Sequence, residues 1–347
     1  MTYEGAKGKT AEEMASVLHF PKDLPAMRSG FQAINSYLNA PGKDYRLSVA
    51  NALWAEQGYA FLPAYLAAAE SYYGGKATNL DFIGATEASR ATINSWVENQ
   101  TNGRIKDLIP QGAISSDTRL VLTNAIYFKG TWVEQFNEEL TKEEDFRKSA
   151  SSTVKAQMMH QEASFNYAEN SQLQILQMPY AGTIRHEEYG DIISAGNLSM
   201  VIVLPKNDDL SSLENSLSSQ KLSEWQSQLQ EQKVDVSLPK FKFESKYMMA
   251  DDLKVMGMPT AFNPDAADFS GMDGTRDLFI SQVIHQAYVD VSENGTEAAA
   301  ATAVIMAATG MPVPQPAPPV FRADHPFIFL IEDKGTGTIL FMGRFSG

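Results

Sequence analysis

Glu293-Asn-Gly-Thr-Glu-Ala-Ala-Ala-Ala-Thr302 (ENGTEAAAAT) is the stretch on which the fold turns. Alanine is the best helix former, so composition alone favours a helix or a flexible spacer here. Several features point the other way. The stretch follows Ile284 to Val291 (IHQAYVDV), a β-branched run that reads as a strand. Counting by twos from Thr296 gives Ala298, Ala300, Thr302, Val304, Met306 and Ala308, all small, β-branched or apolar and none charged. Glu297 falls on the other phase, where a strand would present it outward. No proline lies between Gly295 and Met311, so every backbone N–H in that span can join a ladder. Gly295 suits a point where the chain must bend. Glu293, Gly295, Thr296, Glu297, Ala298, Ala299, Ala300, Ala301 and Thr302 therefore read as part of a segment able to become a strand.

Downstream, Thr309-Gly310-Met311 is followed by Pro312, Pro314, Pro316, Pro318 and Pro319. That part should be extended, polyproline-like and exposed. Strand signals resume at Val320-Phe321, so residues 293–320 read as a long loop inside a domain. Loops of this length without structure of their own are usually functional or disordered.

Helical patterns crowd the first third of the chain. Thr10-Ala-Glu-Glu13 has the form of a capping box ahead of an apolar run through Phe20. Met27 to Leu38, Leu62 to Tyr73 and Glu87 to Gln100 have helical spacing, the last with Asn102-Gly103 as its stop. Strand patterns then dominate. Leu120 to Phe128 (LVLTNAIYF) reads as a strand buried on both faces. Leu198 to Leu204, Val234 to Leu238, Pro326 to Ile331 and Thr338 to Phe345 follow, the last pair joined by the hairpin signal Asp333-Lys-Gly-Thr-Gly337. A polar helical patch near Leu210 to Glu231 interrupts them. Helices first and strands later, with no linker that splits the chain, predict a single α+β domain over 1–347.

Composition narrows the function. The 28 Lys and Arg against 42 Asp and Glu give a formal charge of −14, which argues against nucleic acid or a heparin-like polyanion as partner. Cysteine is absent, so there is no thiol nucleophile, disulfide or Cys-bound metal. No apolar run is long enough for a membrane-spanning helix, and no membrane partner is expected. The start, MTYEGAKGKTAEEM, has no signal-peptide core. The histidines, His19, His160, His186, His285 and His325, show no metal-ligand spacing, and no nucleophile elbow or phosphate-binding glycine loop occurs. No enzyme site, metal or cofactor is expected. Trp54, Trp96, Trp132 and Trp225 read as core aromatics.

Asn124-Ala-Ile-Tyr-Phe-Lys-Gly130 with Thr131-Trp132, the hinge Glu293 to Thr302, Asp324-His-Pro-Phe-Ile-Phe-Leu330 and Ile339-Leu-Phe-Met-Gly-Arg344 occur in the order found in serpins. Across the whole chain the sequence resembles that family, in its inhibitory, prokaryote-like form. The resemblance implies an α+β serpin fold: N-terminal helices on a large, mostly antiparallel central sheet, two further sheets and an exposed reactive-centre loop. It also implies that the family's usual first helices are not in this sequence. Of the polar cluster that controls sheet opening in the family, Asn166 and His285 are matched by position.

The implied activity is suicide inhibition of a serine endopeptidase, with no catalysis by the chain itself. The protease cuts the loop and forms an acyl-enzyme; the cut loop inserts into the central sheet. About fourteen residues at ~3.3 Å each would carry the tethered protease roughly 45 Å. The implied partner is a serine protease in a covalent 1:1 complex, and the protein is expected to be an extracellular monomer able to polymerise by loop–sheet linkage. Counting from Gly295 places the scissile bond at Thr309-Gly310, with Met306 and Met311 as alternative bait residues. Counting back from Pro326-Phe327 gives Gln315, but that count would put Pro312 and Pro314 in the inserting strand. Small residues at Ala308 and Thr309 suit an elastase- or subtilisin-like target. The alternatives are a papain-like cysteine protease as target, or a non-inhibitory carrier.

Overall fold

A computed structural model describes residues 1–38, 45–187, 190–207, 209–296 and 316–347. The helices are α1 (Thr2–Gly5), α2 (Gly8–Val17), α3 (Leu24–Leu38), α4 (Pro63–Tyr73), α5 (Thr86–Gln100), α6 (Leu210–Ser216), α7 (Ser219–Gln226), α8 (Ala250–Met256) and α9 (Ser270–Asp273). The strands are β1 (Tyr45–Glu56), β2 (Lys76–Leu80), β3 (Leu120–Thr131), β4 (Lys142–Ser149), β5 (Ser152–Glu169), β6 (Leu173–Glu187) and β7 (Gly190–Pro205). They continue with β8 (Gln230–Pro239), β9 (Phe241–Met248), β10 (Gln282–Ser292), β11 (Gly295–Thr296), β12 (Val320–Arg322), β13 (Phe327–Asp333) and β14 (Thr338–Phe345).

The chain divides into two compact units. One comprises Met1–Pro41, Leu47–Tyr127 and Phe243–Tyr288; the other Gly42–Arg46, Phe128–Lys242 and Val289–Gly347. Strands form a six-stranded sheet in the order β2-β1-β3-β11-β10-β9 and an eight-stranded one in the order β12-β8-β5-β6-β7-β13-β14, with β4 on β5. The two smaller sheets expected beside the large one are thus joined by their ladders. The β6–β7 pairing runs on through register shifts near Pro179 and Ala181, and such irregularities let a sheet bend without breaking.

In the first unit β1 and β3 are buried on both faces, as the dense apolar run from Leu120 demands. Leu53, Ala55 and Leu120 pack into one cluster with Met258, Phe262 and Phe269. Their neighbours Ala52, Trp54 and Val121 point the other way, into a cluster with Ile93, Val97 and Ile109 from α5 and the chain after it. Adjacent residues on opposite faces follow from the period of two. Trp54 is fully buried, and its indole N–H donates to Thr123 Oγ1 at 3.0 Å. In the second unit, Val201, Val203, Ile328 and Leu330 form a core with Trp225 of α7.

The capping box does not form. Thr10 lies inside α2, whose N-cap is Lys7. Thr10 Oγ1 accepts from the Asp268 N–H at 3.0 Å, and the Glu13 carboxylate takes both the N–H and the hydroxyl of Thr260. Both side chains are used for tertiary contacts, which override the local pattern.

Candidate functional site

β10 ends at Ser292, turns through Glu293-Asn294 and returns as β11. β11 pairs antiparallel with β10 (Val291 with Thr296, Ser292 with Gly295) and antiparallel with the end of β3 (Gly130 with Thr296, Thr131 with Gly295). The turn is fixed by backbone space. Gly295 has φ of 140°, and a Cβ there would lie 2.1 Å from the Gly130 carbonyl oxygen. Only glycine fits that position. Gly130 is confined as well: a Cβ would meet the Phe128 and Tyr180 rings at 2.6 and 2.9 Å.

Thr296 has no exposed surface, and its Oγ1 lies 2.7 Å from the Tyr180 hydroxyl. The Tyr180 ring stacks on Trp132 with centroids 4.4 Å apart and meets Phe128 edge-on at 4.8 Å. Complete burial pushes the Tyr180 hydroxyl far above its ordinary pKa, so it remains a neutral partner for Thr296. The Trp132 indole N–H donates to the Ser292 carbonyl at 3.0 Å, and its backbone N–H donates to the Asn294 carbonyl at 3.0 Å. Trp132 thus braces both sides of the turn.

Glu293 is 3% exposed. Its carboxylate accepts from Thr141 Oγ1 at 2.7 Å and pairs with Lys240 Nζ at 2.8 Å. Burial alone would raise its pKa; the Lys240 and Thr141 hydrogen bonds outweigh burial and hold it below the usual carboxylate range. Asn294, between them, reaches Glu138 Oε1 at 3.3 Å. A buried, paired carboxylate, a glycine that admits no side chain and an aromatic stack bind the two residues of β11 in place.

Of the hinge residues, Glu293, Gly295 and Thr296 meet in this cluster. Glu297, Ala298, Ala299, Ala300, Ala301 and Thr302 lie outside the described residues, as do Met306, Thr309, Gly310 and Met311. His285 and Asn166 are not partners. His285 Nδ1 lies 2.5 Å from Asn124 Oδ1, and Asn124 Nδ2 donates to Asn51 Oδ1 at 2.6 Å. The amide beside His285 therefore belongs to Asn124, its direct register partner in the parallel β3–β10 pairing. Asn166, on β5, donates instead to Gln177 Oε1 at 2.9 Å. The His285 ring stacks on Tyr247, and burial lowers its pKa, favouring the neutral imidazole.

Sequence inspection missed Tyr180, Lys240 and Thr141. None carries a local signal, since each reaches the hinge from a distant strand or connection. Among the described residues, one chain of side chains has the order of a hydrolytic triad: Ser237 Oγ lies 3.0 Å from His160 Nδ1, and His160 Nε2 lies 2.9 Å from Glu144. Ser237 is 4% exposed, and Glu144 is shared with Arg322, so the chain ties β4, β5, β8 and β12 together. Among the described residues no group of three His, Asp or Glu converges as a metal site, and no helix is long and apolar enough to cross a membrane.

Comparison with known proteins gives one answer at every level. The family model for serpins (serine protease inhibitors) matches residues 1–347. An uncharacterised serpin-like protein of Thermococcus kodakarensis is 44% identical over 345 residues, covering 99% of this chain and 76% of that protein. Human leukocyte elastase inhibitor is 41% identical over 355 residues, covering 100% of this chain and 89% of the relative. The crystal structure of Serpin48 of the insect Tenebrio molitor superposes with a TM-score of 0.85 at 34% identity, covering 100% of this chain and 87% of that one. The chain belongs to the serpin (serine protease inhibitor) family.

Proposed function

We propose that this chain is a suicide inhibitor of serine endopeptidases, acting extracellularly on an elastase- or subtilisin-like enzyme, and that it traps its target rather than catalysing a reaction. One observation carries the reading. β3 and β10 pair directly and in parallel from Val121 with Gln282 to Tyr127 with Tyr288, while β11 sits between the ends of the same two strands, antiparallel to both. The residues after Thr296 can continue that strand only by separating β3 from β10. Doing so replaces one parallel pairing with two antiparallel ones, which are slightly more stable per residue. A dozen inserted residues add roughly a dozen hydrogen bonds at about 1 kcal/mol each, so insertion gains on the order of 10 kcal/mol.

The composition of Ala298 to Ala308 supports the same reading, since alternate residues are small or apolar and none of those is charged. The uncut loop is held at both ends, by β11 and by β12; cleavage frees one end. The target's serine is by then esterified to the loop, and insertion outruns hydrolysis of the ester. The resulting complex is covalent and 1:1, with Thr309-Gly310 as the scissile bond.

Incubation with pancreatic elastase or subtilisin tests this. The expected result is an SDS-stable band heavier than the protease, with the released peptide beginning at Gly310 by mass spectrometry. Complete cleavage of the chain with all protease activity retained would refute the inhibitor reading. A complex formed only with papain would transfer the activity to cysteine proteases.

A further inference from the structure

The register of β11 sets how far an inserted strand can reach. Thr296 lies opposite Gly130 of β3 and opposite Val291 of β10, antiparallel to both. In the proposed insertion each further residue steps back one position along both strands. Met306 would then meet Leu120, where β3 starts, and Ile305 would meet Gln282, where β10 starts. Whatever lies between Met306 and the acylated residue is slack. An ester at Thr309 leaves Ala307 to Thr309, about 10 Å at ~3.3 Å per residue, whereas an ester at Gln315 would leave Ala307 to Gln315, about 30 Å. A short tether pulls the protease against the end of the sheet. A long one lets it keep its active-site geometry and hydrolyse the ester.

The far side of the loop is open to attack at its described end. The Pro319 carbonyl accepts from the Asp235 N–H at 3.0 Å and the Val320 carbonyl from Gln174 Nε2 at 2.9 Å, so β8 and β6 hold the chain from there on. Pro316 and Ala317, just before, are exposed. Burial does not shield them, but the sequence does. Pro312, Pro314, Pro316, Pro318 and Pro319 alternate with Val313, Gln315 and Ala317, so every peptide bond from Met311 to Val320 has a proline on at least one side. A protease binds the residue before the cut as an extended strand through its backbone N–H, which proline lacks. A proline after the cut presents a ring-substituted nitrogen to the histidine that must protonate the leaving amine, and restricts the residue before it. Val313 and Ala317 are small enough to suit the same elastase-like target, and each is followed by proline. We propose that this proline run is a cleavage guard, confining acylation to the part of the loop from which insertion leaves a short tether; it rests on the suicide-inhibitor reading.

Digestion of the full chain by pancreatic elastase, with the fragments mapped by mass spectrometry, tests this. The wild type should be cut in the loop only on the N-terminal side of Met311. Pro314→Ala unmasks the bond after Val313, and a new fragment should begin at position 314. If that bond and the bait bond are acylated equally, half of the events end in hydrolysis and the stoichiometry of inhibition about doubles. Pro318→Ala should do the same after Ala317, in the exposed stretch. Adding Val313→Asp to Pro314→Ala, a residue that an elastase-like pocket rejects, should restore the wild-type stoichiometry; a proline that served only to stiffen the loop could not be replaced in this way. Cutting of the wild type between Met311 and Val320 overturns the guard. So does a Pro314→Ala variant that is cut only before Met311 at wild-type stoichiometry. Absence of an SDS-stable band from the wild type sinks the inhibitor reading instead, and the fragment map tells the two failures apart.

Discussion

Thr296→Arg separates strand insertion from any simpler use of the loop. Thr296 has no exposed surface, and its hydroxyl is 2.7 Å from that of Tyr180, also fully buried. The substitution removes that partner, and a buried hydroxyl left alone costs about 1–3 kcal/mol. A guanidinium seated in the same space, against the stacked Tyr180 and Trp132 rings, adds several kcal/mol for an unpaired buried charge. The favoured response is expulsion of β11 from between β3 and β10. If about 3 kcal/mol of this cost is present in the transition state for insertion, insertion slows roughly a hundredfold, at ~1.4 kcal/mol per factor of ten. Hydrolysis of the acyl-enzyme then comes first, and the chain becomes a substrate. Titration of a fixed amount of elastase reads this directly: the stoichiometry of inhibition rises by at least tenfold, and the SDS-stable band fades as cleaved chain accumulates. Thr296→Ser, which keeps the hydroxyl, stays near wild type. A folded Thr296→Arg variant that inhibits at wild-type stoichiometry would refute the account.

Three further outcomes follow from the geometry. Lys240→Ala leaves Glu293, 3% exposed, with Thr141 as its remaining side-chain partner; since Lys240 is itself 40% exposed, the loss is about 1–3 kcal/mol, read from the urea midpoint. Gly295→Ala forces a Cβ to 2.1 Å from the Gly130 oxygen at a φ of 140°, and costs about 2 kcal/mol or more in the same assay. Asp268 is held at a pKa of about 2 by its hydrogen bonds to Arg276 and Ser270. A depressed folded-state pKa gives stability that is complete above the unfolded value and lost as pH falls through the folded one. Thermal melts of the wild type should therefore lose this contribution between about pH 4 and pH 2, and Arg276→Ala should reduce it at neutral pH and flatten the slope in that window.

β3 was legible because burial on both faces writes itself into Leu120 to Phe128 as a dense apolar and β-branched run. β10 was legible by alternation, with Ile284, Gln286 and Tyr288 buried at every second position, and Gly295 by the bend that the chain makes there. What was not legible depends on register. Thr10 and Glu13 have the spacing of a capping box, yet Asp268 and Thr260, some 250 positions away, claim both side chains. Asn166 and Asn124 are both strand asparagines, and only the alignment of His285 with Asn124 across the parallel pairing decides which one meets the imidazole. Lys240 follows a proline between two strands and gives no hint of the buried carboxylate it neutralises.

The same register explains why the arrangement is poised. Had β3 and β10 been antiparallel, a strand entering between them would run parallel to one of the two, and the new ladders would gain less per residue. Because they are parallel, any strand antiparallel to one is antiparallel to both. β11 shows the chain already in that orientation at Gly295 and Thr296. In the proposed insertion, the contacts that hold β11 — Thr296 on Tyr180, Trp132 on the Ser292 and Asn294 carbonyls, Glu293 on Lys240 — would set where the strand begins and its phase, so that Ala298, Ala300 and Thr302 would follow Thr296 inward. A charge tests that phase: Ala300→Glu, on the phase of Thr296, should raise the stoichiometry of inhibition well above that of Ala301→Glu, on the opposite phase, because only the first buries a carboxylate on insertion. Equal stoichiometries for the two variants would mean that the cluster does not set the phase.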